Sequence, residues 1–123
     1  MKMYNIAVAG TGYVGLVAGV CFAHVGHRVT CVDVDEAKIR KMREGVSPIY
    51  EEGLEALMHE TAAAGRIEYT TDYKSAYRAA DAIFIGVGTP EQADGSANLS
   101  HIATVARQIA ESVERDCLVV VKS

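Results

Sequence analysis

Gly10-Thr11-Gly12-Tyr13-Val14-Gly15 is the segment whose residue types and spacing carry the most chemistry. Glycines at its first, third and sixth positions let backbone N–H groups face an anion with no side chain in the way. Alone the pattern is weak, because small-residue turns match it by chance. Its context makes it specific. The run YNIAVA before it is short, apolar and strand-like, and a helix opens after it. Asp33 then closes the next strand-like run, about 20 residues on, where an acid meets a ribose. Together these features predict a dinucleotide site. Gly10 makes the turn, Gly12 admits the pyrophosphate, Gly15 brings helix and sheet together, and Asp33 accepts ribose hydroxyls. The plainer alternative is a turn that only packs helix on strand, with Asp33 a solvated strand end.

A second candidate is Gly86-Val87-Gly88-Thr89-Pro90, at the end of another apolar run. Small residues there keep a crevice open, and the Thr89 hydroxyl suits a ribose or phosphate. An ordinary proline turn is the competing reading. Other chemistry is poorly served. Cys21, His24 and His27 share a helix end, but a metal needs a closed ligand set, and Cys21 fits the apolar stripe of that helix. His59 and His101 stand alone and read as surface residues. Arg40, Lys41 and Arg43 read as a solvated helix face. No Ser-His-Asp set or carboxylate pair stands out. No catalytic residue and no metal site is therefore assigned within the chain.

The elements that must position these residues alternate in period. Residues 4–9, 28–32, 66–69, 82–87 and 117–121 read as strands. Residues 13–25, 35–44, 51–64, 72–80 and 99–114 read as helices. In the first helix Val14, Val17, Ala18, Cys21, Phe22 and Val25 form the expected buried stripe. In the third, Leu54, Leu57, Met58 and Thr61 share a side. In the last, Ile102, Val105, Ala106, Ile109 and Val113 do. Gly26 and Gly45 mark helix ends, Asp35 a helix start, and Asp94-Gly95 a turn in the polar loop 88–97. Such alternation predicts an α/β fold, a Rossmann-like doubly wound parallel sheet in one domain. Ligands of such sheets sit outside the carboxyl ends of the strands, where residue 123 falls. The chain therefore reads as a dinucleotide-binding fragment, residues 1–123, of something longer.

Composition bounds the partners. Across 123 residues, 12 Lys+Arg face 16 Asp+Glu, and half the residues are hydrophobic. That apolar content excludes disorder, and the acidic balance argues against an electrostatic nucleic-acid binder. Three widely spaced cysteines in apolar runs suggest buried thiols and a reducing, cytoplasmic location. Residues 3–27 hold no Asp, Glu, Lys or Arg, which imitates a signal peptide or membrane helix. The glycines at 10, 12, 15 and 19 argue against a single helix, so no membrane partner is expected.

The ordered set of motifs resembles the UDP-glucose 6-dehydrogenase family, within the wider UDP-glucose/GDP-mannose dehydrogenase group. The residues are Gly10-Thr11-Gly12-Tyr13-Val14-Gly15-Leu16, Gly26-His27-x-Val29, Val32-Asp33-Val34-Asp35-x-x-Lys38-Ile39, Ser47-Pro48-Ile49-Tyr50-Glu51, Thr71-Asp72-Tyr73, Gly88-Thr89-Pro90 and Lys122-Ser123. The resemblance spans the whole chain but only the amino-terminal part of such an enzyme. It implies NAD as cofactor, contacted at Val14, Asp33, Lys38 and Thr89 beside the glycine turn. The implied activity is two-step oxidation of a nucleotide sugar's primary alcohol to a carboxylate, in polysaccharide biosynthesis, by a homo-oligomer. The family's catalytic cysteine and lysine and its substrate domain lie further along, so the chain alone is expected to be inactive. Glu52 stands where the family often has proline.

Cys21-Phe22-Ala23 and Pro48-Ile49-Tyr50-Glu51 lean toward UDP-glucose. GDP-mannose and UDP-N-acetylmannosamine dehydrogenases remain alternatives, as does a non-catalytic dinucleotide-sensing module. A 3-hydroxyacid type of dehydrogenase fits the Ser47-Pro48-Ile49-Tyr50 and Gly88-Thr89-Pro90 segments less well.

Overall fold

The structure, a computed structural model, describes residues 2–88 and 91–122. Among them β1 (Asn5–Ala9), α1 (Tyr13–His24), β2 (Arg28–Val32), α2 (Glu36–Arg43), α3 (Leu54–Ala63), β3 (Ile67–Thr70), α4 (Tyr73–Ala79), β4 (Ala82–Ile85), α5 (Ser100–Ser112) and β5 (Leu118–Val121) follow one another. All strand pairs are parallel, in the order β3-β2-β1-β4-β5. The chain builds outward from β1 to β3, then returns to add β4 and β5 on the other side. The direction of winding therefore reverses between β1 and β4, where such sheets open a crevice. Ala9 pairs with both Val32 and Ile85, so three strand ends reach this crevice at one level. The expected architecture is borne out.

Alternation along the strands divides the core in two. Val8, Val29, Cys31, Ile67 and Tyr69 face one side, under Leu16, Val20 and Ala23 of α1, Ile39 and Met42 of α2, and Leu54 and Met58 of α3. Ala7, Ala9, Ile83 and Ile85 face the other, under Ala76 and Tyr77 of α4 and Val105 and Ile109 of α5. Helix ends follow local chemistry. The Asp35 carboxylate accepts from Lys38 N–H at 3.1 Å, and that of Asp72 accepts from Ser75 N–H at 3.2 Å. Both therefore satisfy a first-turn N–H that the helix itself leaves unpaired.

Several expectations need correction. The buried residues of α1 are Gly15, Leu16, Gly19, Val20 and Ala23, rather than the stripe through Val14, Val17, Ala18, Cys21, Phe22 and Val25. The helix is apolar nearly all round, so apolar spacing could not fix its rotation. The glycines fixed it. A β-carbon at Gly19 would stand 2.9 Å from Cys31 Sγ, so the glycine edge is the one that lies on the sheet. Cys21 and Val25 turn outward as a result. Of the three thiols only Cys31 is fully buried, and burial pushes its pKa up to about 12. Cys117 is half-buried, and its pKa is raised chiefly by burial. Ala106 of α5 is exposed. So is all of β5, Leu118 to 65%, because little but β4 packs against it.

Arg43 is more than a solvated cation. Its Nε donates to the Tyr69 carbonyl at 2.8 Å and covers part of the open edge of β3. The Asp94-Gly95 turn forms as expected, with Glu91 bridged to Ala97 across it. No helix among the described residues is long and apolar enough to cross a membrane, and none of their His, Cys, Asp and Glu side chains gather in groups of three that could hold a metal.

Candidate functional site

The glycine turn links β1 to α1, and its three glycines answer to different demands. Gly10 has φ +94°, a left-handed conformation that other residues rarely adopt. A β-carbon on Gly15 would overlap the Gly10 carbonyl oxygen, and one on Gly86 would stand 2.9 Å from Gly15 Cα. The start of α1 therefore rests glycine on glycine against the end of β4. This is why Gly86 is small; it holds the helix close more than it keeps a crevice open. Gly12 differs. Its φ is −73°, ordinary for any residue, and a β-carbon there would meet no protein atom within 4 Å. The fold does not require glycine at position 12, and the space a side chain would fill there is open.

Gly12 is also the N-cap of α1, and no side chain caps it; no acid lies in the first turn. The first N–H groups of the helix thus lack an intrahelical partner and point, with the positive end of the helix dipole, toward the crevice. That arrangement fits a pyrophosphate. Tyr13 beside it is exposed, its phenol raised in pKa by the neighbouring Glu51 carboxylate. Val14 is half-buried and Gly15 lies beneath the turn.

Asp33 sits just past β2. Its side chain is only 12% exposed. Oδ2 accepts from the Thr11 hydroxyl at 2.5 Å, from Thr11 N–H at 3.0 Å and from Lys38 Nζ at 3.3 Å. Among the described residues Oδ1 accepts only from Asp35 N–H, at 3.1 Å. Burial pushes the Asp33 pKa up. The Thr11 hydroxyl, Asp35 N–H, the Lys38 ammonium and Thr11 N–H outweigh it and hold the carboxyl below its usual value. The group is an ionised acceptor, and Oδ1 retains capacity for a hydroxyl donor.

Gly10, Thr11, Gly12, Asp33, Lys38 and Gly88 all line one cleft of about 400 Å³ at the switch between β1 and β4. Its far wall carries Tyr77 of α4 and His101, Thr104 and Gln108 of α5. A larger concavity lies elsewhere, along β2, β3 and α4, away from the glycine turn. Sequence reasoning missed the far wall. His101, expected as a lone surface residue, bonds through Nδ1 to the Gly88 carbonyl at 3.1 Å. Its position at the start of α5 was the available signal, since the first turn of the helix after β4 faces the carboxyl edge of the sheet. Thr89 and Pro90 lie outside the described residues.

The family model for the UDP-glucose/GDP-mannose dehydrogenase family, NAD binding domain, matches residues 4–123. The chain is 54% identical over 119 residues to UDP-glucose 6-dehydrogenase YwqF of Bacillus subtilis, covering 97% of this chain and 27% of that protein. It is 49% identical to UDP-glucose 6-dehydrogenase of Rhizobium meliloti, over 97% of this chain and 28% of that one. Among solved structures it superposes on a UDP-glucose dehydrogenase from Pyrobaculum islandicum with TM-score 0.95 and 41% identity, covering 99% of this chain and 29% of that one. A GDP-mannose dehydrogenase from Pseudomonas aeruginosa, solved as a ternary complex, gives TM-score 0.92 and 42% identity over 97% and 28%. The chain thus spans a little over a quarter of the length of these relatives.

Proposed function

This chain belongs to the UDP-glucose/GDP-mannose dehydrogenase family as its NAD-binding domain, and we propose that it holds NAD for the oxidation of UDP-glucose to UDP-glucuronate by a longer enzyme. The observation that carries the cofactor reading is Gly12, an uncapped helix start where the protein leaves open the space a side chain would fill. Bound NAD supplies the hydride acceptor. The protein's part is to bind and orient it. The N–H groups at the start of α1 receive the pyrophosphate, Asp33 Oδ1 accepts from the adenosine ribose, and the Thr11 hydroxyl, Asp35 N–H and the Lys38 charge keep the carboxylate ionised. In this reading Thr89 and Pro90 also serve the cofactor. Val14 and Tyr13 contribute their backbone. UDP-glucose is favoured over GDP-mannose by the names of the curated relatives, although chains of both kinds superpose almost equally well.

Hydride transfer needs a substrate held against the nicotinamide, and the cleft's charged side chains and its histidine are already engaged, Asp33 with Lys38 and His101 with the Gly88 carbonyl. The chain alone is therefore proposed to bind cofactor without turning over sugar. The test is calorimetric titration of NAD and NADP against the wild type and Asp33→Ala. A ribose phosphate would face the Asp33 carboxylate, so NAD is expected to bind more tightly than NADP. Loss of a hydrogen bond to a charged group, about 1.5–3 kcal/mol, weakens NAD roughly ten- to a hundredfold in the variant and narrows that gap. Equal affinities in the wild type, or an unchanged ratio in the variant, defeat the assignment.

A further inference from the structure

We propose that Thr11 is a positioning residue for cofactor choice: its hydroxyl fixes the Asp33 carboxylate that reads the ribose and does not itself contact the cofactor. The proposal rests on Asp33 being the ribose acceptor. Thr11 lies in the glycine turn at the cleft, yet its side chain is buried. Its hydroxyl donates to Asp33 Oδ2 at 2.5 Å and its N–H to the same oxygen at 3.0 Å. One residue therefore ties the carboxylate to the turn through both its side chain and its backbone. The backbone contact would survive at any residue type; the hydroxyl contact would not. A buried hydroxyl costs desolvation unless it is paired, and among the described residues its partner is this carboxylate.

The consequence is geometric and electrostatic. With Oδ2 held on the turn side by three donors, Oδ1 is the oxygen with acceptor capacity left. Other charged groups near Asp33 are few. Lys38 from α2 pairs with it at 3.3 Å. Asp35 is engaged with Lys38 N–H. His101 stands on the opposite wall of the cleft. The Thr11 hydroxyl bond is the foremost of the influences that lower the carboxyl pKa, ahead of Asp35 N–H and the Lys38 charge. Removing it leaves the carboxylate held by Thr11 N–H, Asp35 N–H and Lys38, so its placement loosens and its pKa rises.

Two substitutions separate the hydroxyl from the side chain's shape. Thr11→Val keeps the branched form and loses the donor; Thr11→Ser keeps the donor and loses a methyl group. Two readouts are needed: the Asp33 carboxyl titration followed by carbon NMR without cofactor, and NAD and NADP affinities by calorimetry across acid to neutral pH. In Thr11→Val the Asp33 titration is expected to move to higher pH. NAD affinity near neutrality falls about tenfold, the acid loss of NAD binding begins at higher pH, and the NAD-to-NADP ratio shrinks. Thr11→Ser stays close to wild type in each. A role in packing alone gives the reverse order, with Val tolerated and Ser impaired, and overturns the proposal. So does an Asp33 titration unchanged in Thr11→Val. If that titration moves while NAD binding and the ratio do not, Thr11 holds the carboxylate but Asp33 is not the ribose acceptor. Asp33→Ala would then also leave NAD binding intact, which locates the failure in the underlying reading.

Discussion

β1-α1-β2 and β4-α5-β5 are the same supersecondary unit twice, on opposite faces of one sheet, and they are held in opposite ways. In the first, Val8, Leu16, Val20, Val29 and Cys31 have no exposed surface. In the second, Val105 and Ile109 are buried but Leu118, Val119, Val120 and Val121 all lie open. Apolar content does not explain this, since β5 is as apolar as β1. Position does. β1 lies in the middle of the sheet with helices over it, whereas β5 has little but β4 against it; β3, the other edge strand, is covered by α2 and α3 and buries Ile67 and Tyr69. α1 is also pressed down by glycines that α5 lacks. The network around Asp33 ties the first unit, through Thr11, to Asp35 and to Lys38 of α2. The second supplies the opposite wall of the cleft with side chains that make few bonds across it. A dinucleotide-binding crevice thus has one rigid lip and one lightly tied lip.

The sharpest way to break the contrast is at the rigid lip. Gly15→Ala would place a β-carbon into the Gly10 carbonyl, backbone against backbone. It is expected to cost about 3 kcal/mol or more, the upper range for overpacking, and urea unfolding reads it. A variant as stable as wild type would mean that α1 does not rest on β1 and β4 as described. Burial sharpens the contrast next. Leu16→Ala is expected to destabilise by about 2–5 kcal/mol, against less than roughly 0.5 kcal/mol for Val119→Ala on the open edge. Thermal melts of the pair would show near-equal losses if β5 were buried in solution.

Gly12→Val tests function apart from fold. Its φ and its open surroundings predict almost no change in the melt, together with loss of NAD binding. Circular dichroism and a binding titration on one sample decide it: normal NAD affinity would remove the phosphate from this turn. Gly12 and Gly15 sit three residues apart in one motif, yet packing demands glycine only at the second.

The strand and helix order, the switch-point architecture, the helix caps at Asp35 and Asp72 and the pairing of a glycine turn with Asp33 were all legible in the amino-acid order. Each depends on short-range chemistry: period of burial, N-cap acceptors, and glycine at a positive φ. The rotation of α1 was not legible, because a helix apolar on every side carries no contrast for a period to report. What set it was contact across the chain, Gly15 on Gly10 and Gly86, Gly19 on Cys31. Nor did residue order place His101, Thr104 and Gln108 opposite Asp33, since that needs α5 to return over the far side of the sheet.

Sequence alone determined that this protein folds as a parallel α/β sheet with a dinucleotide turn, because local propensity, turn chemistry and apolar periodicity agree along its length. Tertiary structure alone decided how the site is held. It gave the Thr11 hydroxyl to Asp33, pressed the helix onto its glycine face and left β5 open at the edge. Those outcomes turn on distances between segments far apart in the chain, and residue order does not contain such distances until the sheet brings the segments together.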